Sequence, residues 1–112
     1  MGDINEIIDA LVKFRDERDW EQFHDSKNLA TAISIEAAEL NELFLWKTAK
    51  ESEEVDKGKM QEELADILSY SLLLANRHGF DIKQIVLDKI KHNGEKYPVD
   101  KAKGNAKKYN EL

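Results

Sequence analysis

Pro98 is the only proline in this chain, and five glycines supply most of its remaining turn-forming capacity over 112 residues. A fold built from many short strands needs a turn signal every ~8–12 residues. With so few breakers, long helices are the expected solution.

The apolar spacing agrees. Ile4, Ile7, Ile8, Leu11 and Val12 form one helical stripe, and Asp3 with Glu6 resembles a capping box at its start. Residues 16–21 are too polar to continue that stripe and carry the helix end and a connection. Asp25 or Ser26 can cap a second helix with the stripe Leu29, Ile33, Ala37, Leu40 and Phe44. Residues 48–58 are charged and lack a stripe, so they are expected as an exposed loop. A third helix carries Met60, Leu64, Ile67 or Leu68, Ser71, Leu72 and Ala75, and Gly79 stops it. Asp81 and Gln84 open a fourth, using Ile82, Ile85, Val86 and Ile90, expected to end near Gly94, with Pro98 barring continuation. The lysine-rich segment after it should be ordered only if something holds it.

The prediction is an all-α four-helix bundle, one domain over residues 1–112, with a helical core at about 3–97 and a basic tail at 98–112. The third helix is apolar on several faces, through Leu64, Ala65, Ile67, Leu68, Leu72, Leu73, Leu74 and Ala75. Four short helices barely cover it, so a homo-oligomer is expected to complete the bundle.

Composition excludes several functions. The apolar runs, such as Leu43-Phe44-Leu45-Trp46 and Leu72-Leu73-Leu74-Ala75, are far shorter than the ~20 residues of a membrane span. The start of the chain has no charged-then-apolar leader. Without cysteine there is no disulfide, thiolate zinc site or cysteine nucleophile. A cytoplasmic location is the simplest expectation. Residues 89–108 hold seven lysines against Glu95 and Asp100, a net of +5; with −6 for the whole chain, the remainder carries −11. So acidic a body repels a nucleic-acid backbone, and a polymer partner is not expected.

The most informative residues are four carboxylates. Glu36-Ala37-Ala38-Glu39 and Glu63-Leu64-Ala65-Asp66 each set two acidic groups on one helix face at i, i+3. Glu36 lies between Ile33 and Leu40 at the edge of the core stripe, and Glu63 and Asp66 flank Leu64 and Ile67. Carboxylates turned toward an interior need protonation or a cation. Oxygen-only ligands suit Mg²⁺ or Mn²⁺. The plainer alternative is a solvated face of an acidic protein, since Glu is common on helix surfaces. A di-iron site wants Glu-x-x-His on two helices, and only Glu21-Gln22-Phe23-His24 has that form.

The string Phe14-Arg15-Asp16-Glu17-Arg18-Asp19-Trp20-Glu21-Gln22-Phe23-His24, then Asn28-Leu29, Glu36-Ala37-Ala38-Glu39-Leu40 and Leu43-Phe44-Leu45-Trp46-Lys47, resembles the MazG-like nucleotide pyrophosphohydrolases, most closely their dCTP pyrophosphatase branch. Glu36, Glu39, Glu63 and Asp66 meet the family pattern E-x-x-E, spacer, E-x-x-D. Asn93, Lys96, Tyr97, Pro98 and the Lys108-Tyr109 pair with Glu111-Leu112 match its C-terminal signature. Leu11 stands where that branch often has a histidine.

The resemblance implies Mg²⁺-dependent hydrolysis of a (deoxy)nucleoside triphosphate to monophosphate and pyrophosphate by a helical homo-oligomer, commonly a tetramer. It implies Glu36, Glu39, Glu63 and Asp66 as metal ligands, with Trp20, Glu21, Gln22, Phe23, His24, Trp46 and Tyr70 against the nucleotide. Physical spacing is compatible. Trp46, ending the second helix, is two helical turns, ~10.5 Å, past Glu39 on nearly the same face, and Tyr70 is one turn past Asp66. Lys89, Lys91 and Lys96, with Asn93 among them, lie in the basic block whose field suits a triphosphate. Glu39, between Glu36 and Glu42, is the expected general base. The alternative from another class is a non-catalytic helical partner or antitoxin-like scaffold offering its acidic face to a basic protein.

Overall fold

The computed structural model describes residues 2–112. The helices are α1 (Asp3–Glu17), α2 (Ser26–Glu42), α3 (Ala49–Ser52), α4 (Lys57–Arg77), α5 (Ile82–Lys96) and α6 (Val99–Ala102), with single 3₁₀ turns at Glu21–Phe23 and Tyr109–Glu111. No strand occurs among the described residues, as the scarcity of turn residues requires. None of the described helices is long and apolar enough to cross a membrane. The chain divides into two compact units, one ending at Gly79 and the other spanning Phe80–Leu112.

In the first unit α2 and α4 pack antiparallel. At one end Ser26 Oγ lies 2.8 Å from His78 Nε2. At the other, Glu36 and Glu39 of α2 meet Glu63 of α4. The dry core sits toward the first end: Leu29 is 2% exposed, and Leu73 and Ala75 are also buried. α1 lies against α4 as well.

Local chemistry sets the helix ends. Asp25 Oδ1 accepts from the Asn28 N–H at 2.7 Å and starts α2. Asp56 accepts from Gly58 and Lys59 at the start of α4. After α4, Gly79 takes φ 69° and donates to the Asn76 carbonyl at 3.1 Å. That left-handed conformation clashes with a Cβ, which is why glycine ends the helix there.

Several expectations are corrected. The Asp3–Glu6 box does not form: α1 begins on Gly2 without a side-chain cap, and the Glu6 N–H bonds the Gly2 carbonyl at 3.1 Å. Ala37 is exposed and Ala32 turns inward beside Ile33. α2 stops at Glu42 and does not reach Trp46; the N–H groups of Leu43, Phe44 and Leu45 bond carbonyls three residues back, a tighter winding that ends the helix. The expected 48–58 loop contains α3, begun by a full Thr48–Glu51 capping box.

In the second unit α5 runs through Gly94 to Lys96 instead of ending near Gly94. A lone glycine weakens a helix without breaking it, and Pro98 follows as the effective stop. The tail is held by an edge-on contact of Tyr109 with Tyr97, ring centroids 6.2 Å apart, and by the Lys96 ammonium 4.7 Å from the Tyr109 ring. Ile85, Val86, Leu87 and Ile90 of α5 are exposed.

Candidate active site

Antiparallel packing turns the two i, i+3 acidic pairs toward each other. Glu36, Glu39 and Glu63 each offer a carboxylate oxygen within 4.8 Å of the others. Oε2 of Glu36 and Oε2 of Glu63 are buried without a hydrogen-bond partner. Two acceptor oxygens removed from water and left unpaired are costly, and a hard cation satisfies both. An all-oxygen donor set of this kind fits a hard divalent cation.

The electrostatics agree. Burial pushes the Glu36 carboxyl up to about 7, helped by its hydrogen bond to Glu39 and the charges of Glu39, Asp66 and Glu63. Glu63 is raised for the same reasons, burial first and then Glu39 and Asp66. Asp66 lies outside the tight trio and is exposed, although its charge reaches both. Glu39, also exposed, is the member of the trio open to solvent.

Beside the carboxylates lies a cleft of about 760 Å³ between α1, the Trp20–His24 segment and α4. Asp66 and, one turn on, Tyr70 line it from α4; Trp20 and His24 line it from the connection; Leu11, Phe14 and Arg15 line it from α1. Trp20 meets Phe14 edge-on, centroids 5.8 Å apart, and His24 meets Tyr70 at 6.3 Å. Trp20 is brought there by a tight reversal: Asp19 adopts φ 55°, and the Trp20 N–H returns to the Arg15 carbonyl at 3.1 Å. Burial, then the charge of Arg15, lowers the His24 pKa and keeps its ring neutral at pH 7. Burial and the charges of Glu36 and Asp66 raise that of Tyr70, so it stays a neutral hydroxyl.

The remaining expected residues are placed differently. Glu21 pairs with Arg15 at 3.7 Å, Gln22 donates to the Asp19 carbonyl at 2.9 Å, and neither lines the cleft. Phe23 is exposed outside it. Trp46 does not line it either: it follows the end of α2 at φ 63° and is 91% exposed. A bulky side chain in the left-handed region is strained, and an exposed tryptophan held there is presented to solvent instead of packed. Lys89, Asn93 and Lys96 lie on α5 in the second unit.

Sequence reasoning missed Phe14, Arg15 and Ser69 as cleft residues. Extending the stripe Ile7–Leu11 by three and four residues reaches Phe14 and Arg15, so a signal was present. Ser69, one residue before Tyr70, carried none.

Residues 31–112 match the MazG-like family. The chain is 42% identical to dCTP pyrophosphatase 1 of Mus musculus and of Homo sapiens, each alignment covering 97% of this chain and 67% of the relative. The Bos taurus protein of the same name is 44% identical over 97% of this chain and 68% of its own. The fold is similar to the crystal structure of a pyrophosphatase from Archaeoglobus fulgidus, with TM-score 0.84 and 41% identity over 88% of this chain and 94% of that one. A match spanning both acidic pairs, with relatives this similar along nearly the whole chain, means that the protein belongs to the MazG-like family.

Proposed function

We propose that this chain, a nucleotide pyrophosphohydrolase of the MazG-like family, converts a pyrimidine deoxynucleoside triphosphate, dCTP or a modified relative, to the monophosphate and pyrophosphate with Mg²⁺. The observation that carries the reading is the Glu36–Glu39–Glu63 cluster with its unpaired buried oxygens, set beside an aromatic cleft. The relatives named for dCTP support the choice of base.

In this reading Glu36, Glu39 and Glu63 would hold the ion, with Asp66 lining the cleft beside them. Bound Mg²⁺ would supply charge neutralisation at the phosphoryl group and a more acidic water. Glu39, open to solvent, accepts that water's proton. The nucleoside enters the cleft along α4 toward Tyr70, Trp20 and His24, where neutral rings offer stacking and hydrogen bonds. Trp46, Glu21, Gln22 and Phe23 contact the nucleotide from outside the cleft walls, and Lys89, Asn93 and Lys96 bind its phosphates.

The active form is a homo-oligomer, a tetramer by resemblance. Ile35, Leu64 and Leu68 on the α2–α4 surface and the apolar residues of α5 are exposed, as expected of surfaces that a second copy covers. The test is a panel of nucleoside triphosphates with Mg²⁺, Mn²⁺ or Ca²⁺, scored for pyrophosphate against orthophosphate. Pyrophosphate release, fastest with dCTP or its relatives and poor with Ca²⁺, is expected. Orthophosphate as the sole product, or a monomer hydrolysing every nucleotide equally, contradicts the reading.

A further inference from the structure

We infer that Arg15 is a specificity-determining substrate contact: its Nη1 donates to a carbonyl oxygen on the base edge of the nucleotide. The inference rests on the proposed activity and adds a residue and a contact to it.

Among the described residues lining the cleft, Arg15 is the only one with a cationic side chain at neutral pH; the acidic ones are Asp3, Glu6 and Asp66. Its side chain is only 13% exposed and is fixed in place. Nε donates to Asp16 Oδ1 at 2.9 Å, and Nη2 reaches the same oxygen at 2.9 Å and Glu21 Oε2 at 3.7 Å. Its backbone carbonyl holds the Trp20 N–H. Among the described residues, Nη1 has no hydrogen-bond or ion-pair partner. A guanidinium is a rigid fork, so fixing Nε and Nη2 also fixes the direction of the Nη1 hydrogens.

Position and charge both set Nη1 at the nucleoside and away from the phosphates. Arg15 also lines a second cavity, with Leu73, Asn76 and Arg77 of α4. Those residues lie ~10–16 Å along the helix from Asp66, the carboxylate that marks the metal end. The two neighbouring carboxylates also offset the charge of the guanidinium, which leaves directional N–H donors without the net charge a triphosphate needs. Phe14 and Trp20, in edge-on contact with each other, line the same cleft as Arg15 and form an aromatic wall beside which a base edge comes within its reach.

The experiment compares the wild-type protein with R15M, which keeps most of the stem and loses the donors, and with R15K, which keeps the charge and loses the fork. KM and kcat for dCTP, KM for dideoxy-CTP, and inhibition by dCMP and by inorganic pyrophosphate are measured. Both variants should raise the KM for dCTP roughly ten- to a hundredfold with kcat little changed. Affinity for dCMP should fall by the same factor, dideoxy-CTP should show the same loss, and inhibition by pyrophosphate should be unaltered. Weakened pyrophosphate inhibition with intact dCMP affinity would make Arg15 a phosphate ligand and overturn the inference. A loss that disappears with dideoxy-CTP would move the contact to the sugar and overturn it too. A lower melting temperature with unchanged KM would leave Arg15 purely structural, and if R15M does not fold, R15K carries the same comparisons. A wild-type protein that releases no pyrophosphate from any nucleotide refutes the proposed activity itself, whereas an active wild type with unaltered variants refutes only the role of Arg15.

Discussion

Glu36→Gln should make the metal-free protein more stable at about pH 8. In the folded chain this carboxyl is pushed from 4.5 to about 7, by burial first and then by Glu39, Asp66 and Glu63. At full strength such a displacement disfavours the ionised form by ~3 kcal/mol. The side chain is partly open to water, and screening reduces this to ~1–2 kcal/mol. The sign follows from proton uptake: between 4.5 and about 7 the folded state holds a proton that the unfolded chain has released. The stability from this group is complete below 4.5 and is lost as pH rises through about 7. Glutamine never takes the charge. In EDTA at about pH 8, E36Q should therefore exceed the wild type by ~1–2 kcal/mol, and the advantage should shrink at about pH 5. Urea melts followed by helical circular dichroism, at fixed protein concentration, measure both. Adding Mg²⁺ should reverse the order, because the wild type gains RT ln(1 + [L]/Kd) and the variant gains less. A metal-free E36Q that melts below the wild type at pH 8 would mean that the carboxylates do not repel one another, and the clustered geometry would be wrong.

Leu29→Ala should cost ~2–5 kcal/mol in the same melts, because Leu29 is almost completely enclosed; a cost below ~1 kcal/mol would show that the dry end of the helix pair is loosely packed. Trp46→Ala should change stability by less than ~0.5 kcal/mol given its exposure, weaken nucleotide binding by ~1–3 kcal/mol and leave Mg²⁺ affinity unaltered by calorimetry. Trp46→Gly should be more stable than Trp46→Ala by ~1 kcal/mol, because φ 63° penalises any Cβ. The His24 pKa is depressed by burial and by Arg15, so its contribution to stability is present above 6.5 and lost as pH falls through the lowered value; in the E36Q background, replacing His24 by Gln should flatten that acid limb.

Much of the first unit was legible because its signals are periodic. The Asp25 cap, the Leu29–Ile33–Leu40 face and the Gly79 stop depend on spacing and on one residue's conformational freedom, and both can be read along a line. The four carboxylates were legible because acidic groups on a core edge conflict with the apolar pattern around them. What failed was continuation. Leu43, Phe44, Leu45 and Trp46 are all apolar, so nothing in hydrophobic pattern says that the helix tightens and ends at Glu42. The capping box at Thr48 did announce a new helical turn, and the charges around it obscured the signal. The cleft was least legible because it is defined by where α1 stands relative to α4, a distance that no residue type encodes.

The division along α2 and α4 explains how one helix pair can carry a repulsive site. Antiparallel packing sets Leu29 near the end of α4 that carries Leu73 and Ala75, and sets Glu36 opposite Glu63 about two turns away, ~10.5 Å along α2. Over that distance substitutions usually act independently. The dry end can therefore hold the two helices in register while the acidic end remains under electrostatic tension. Rigid registry at one end keeps the carboxylates within 4.8 Å of one another even though each would gain by moving apart. A site kept closed against its own repulsion needs little rearrangement when a cation arrives, so more of the binding energy is retained as affinity. The small core of the first unit thus acts on the site from a distance, by fixing where the acidic side chains cannot go.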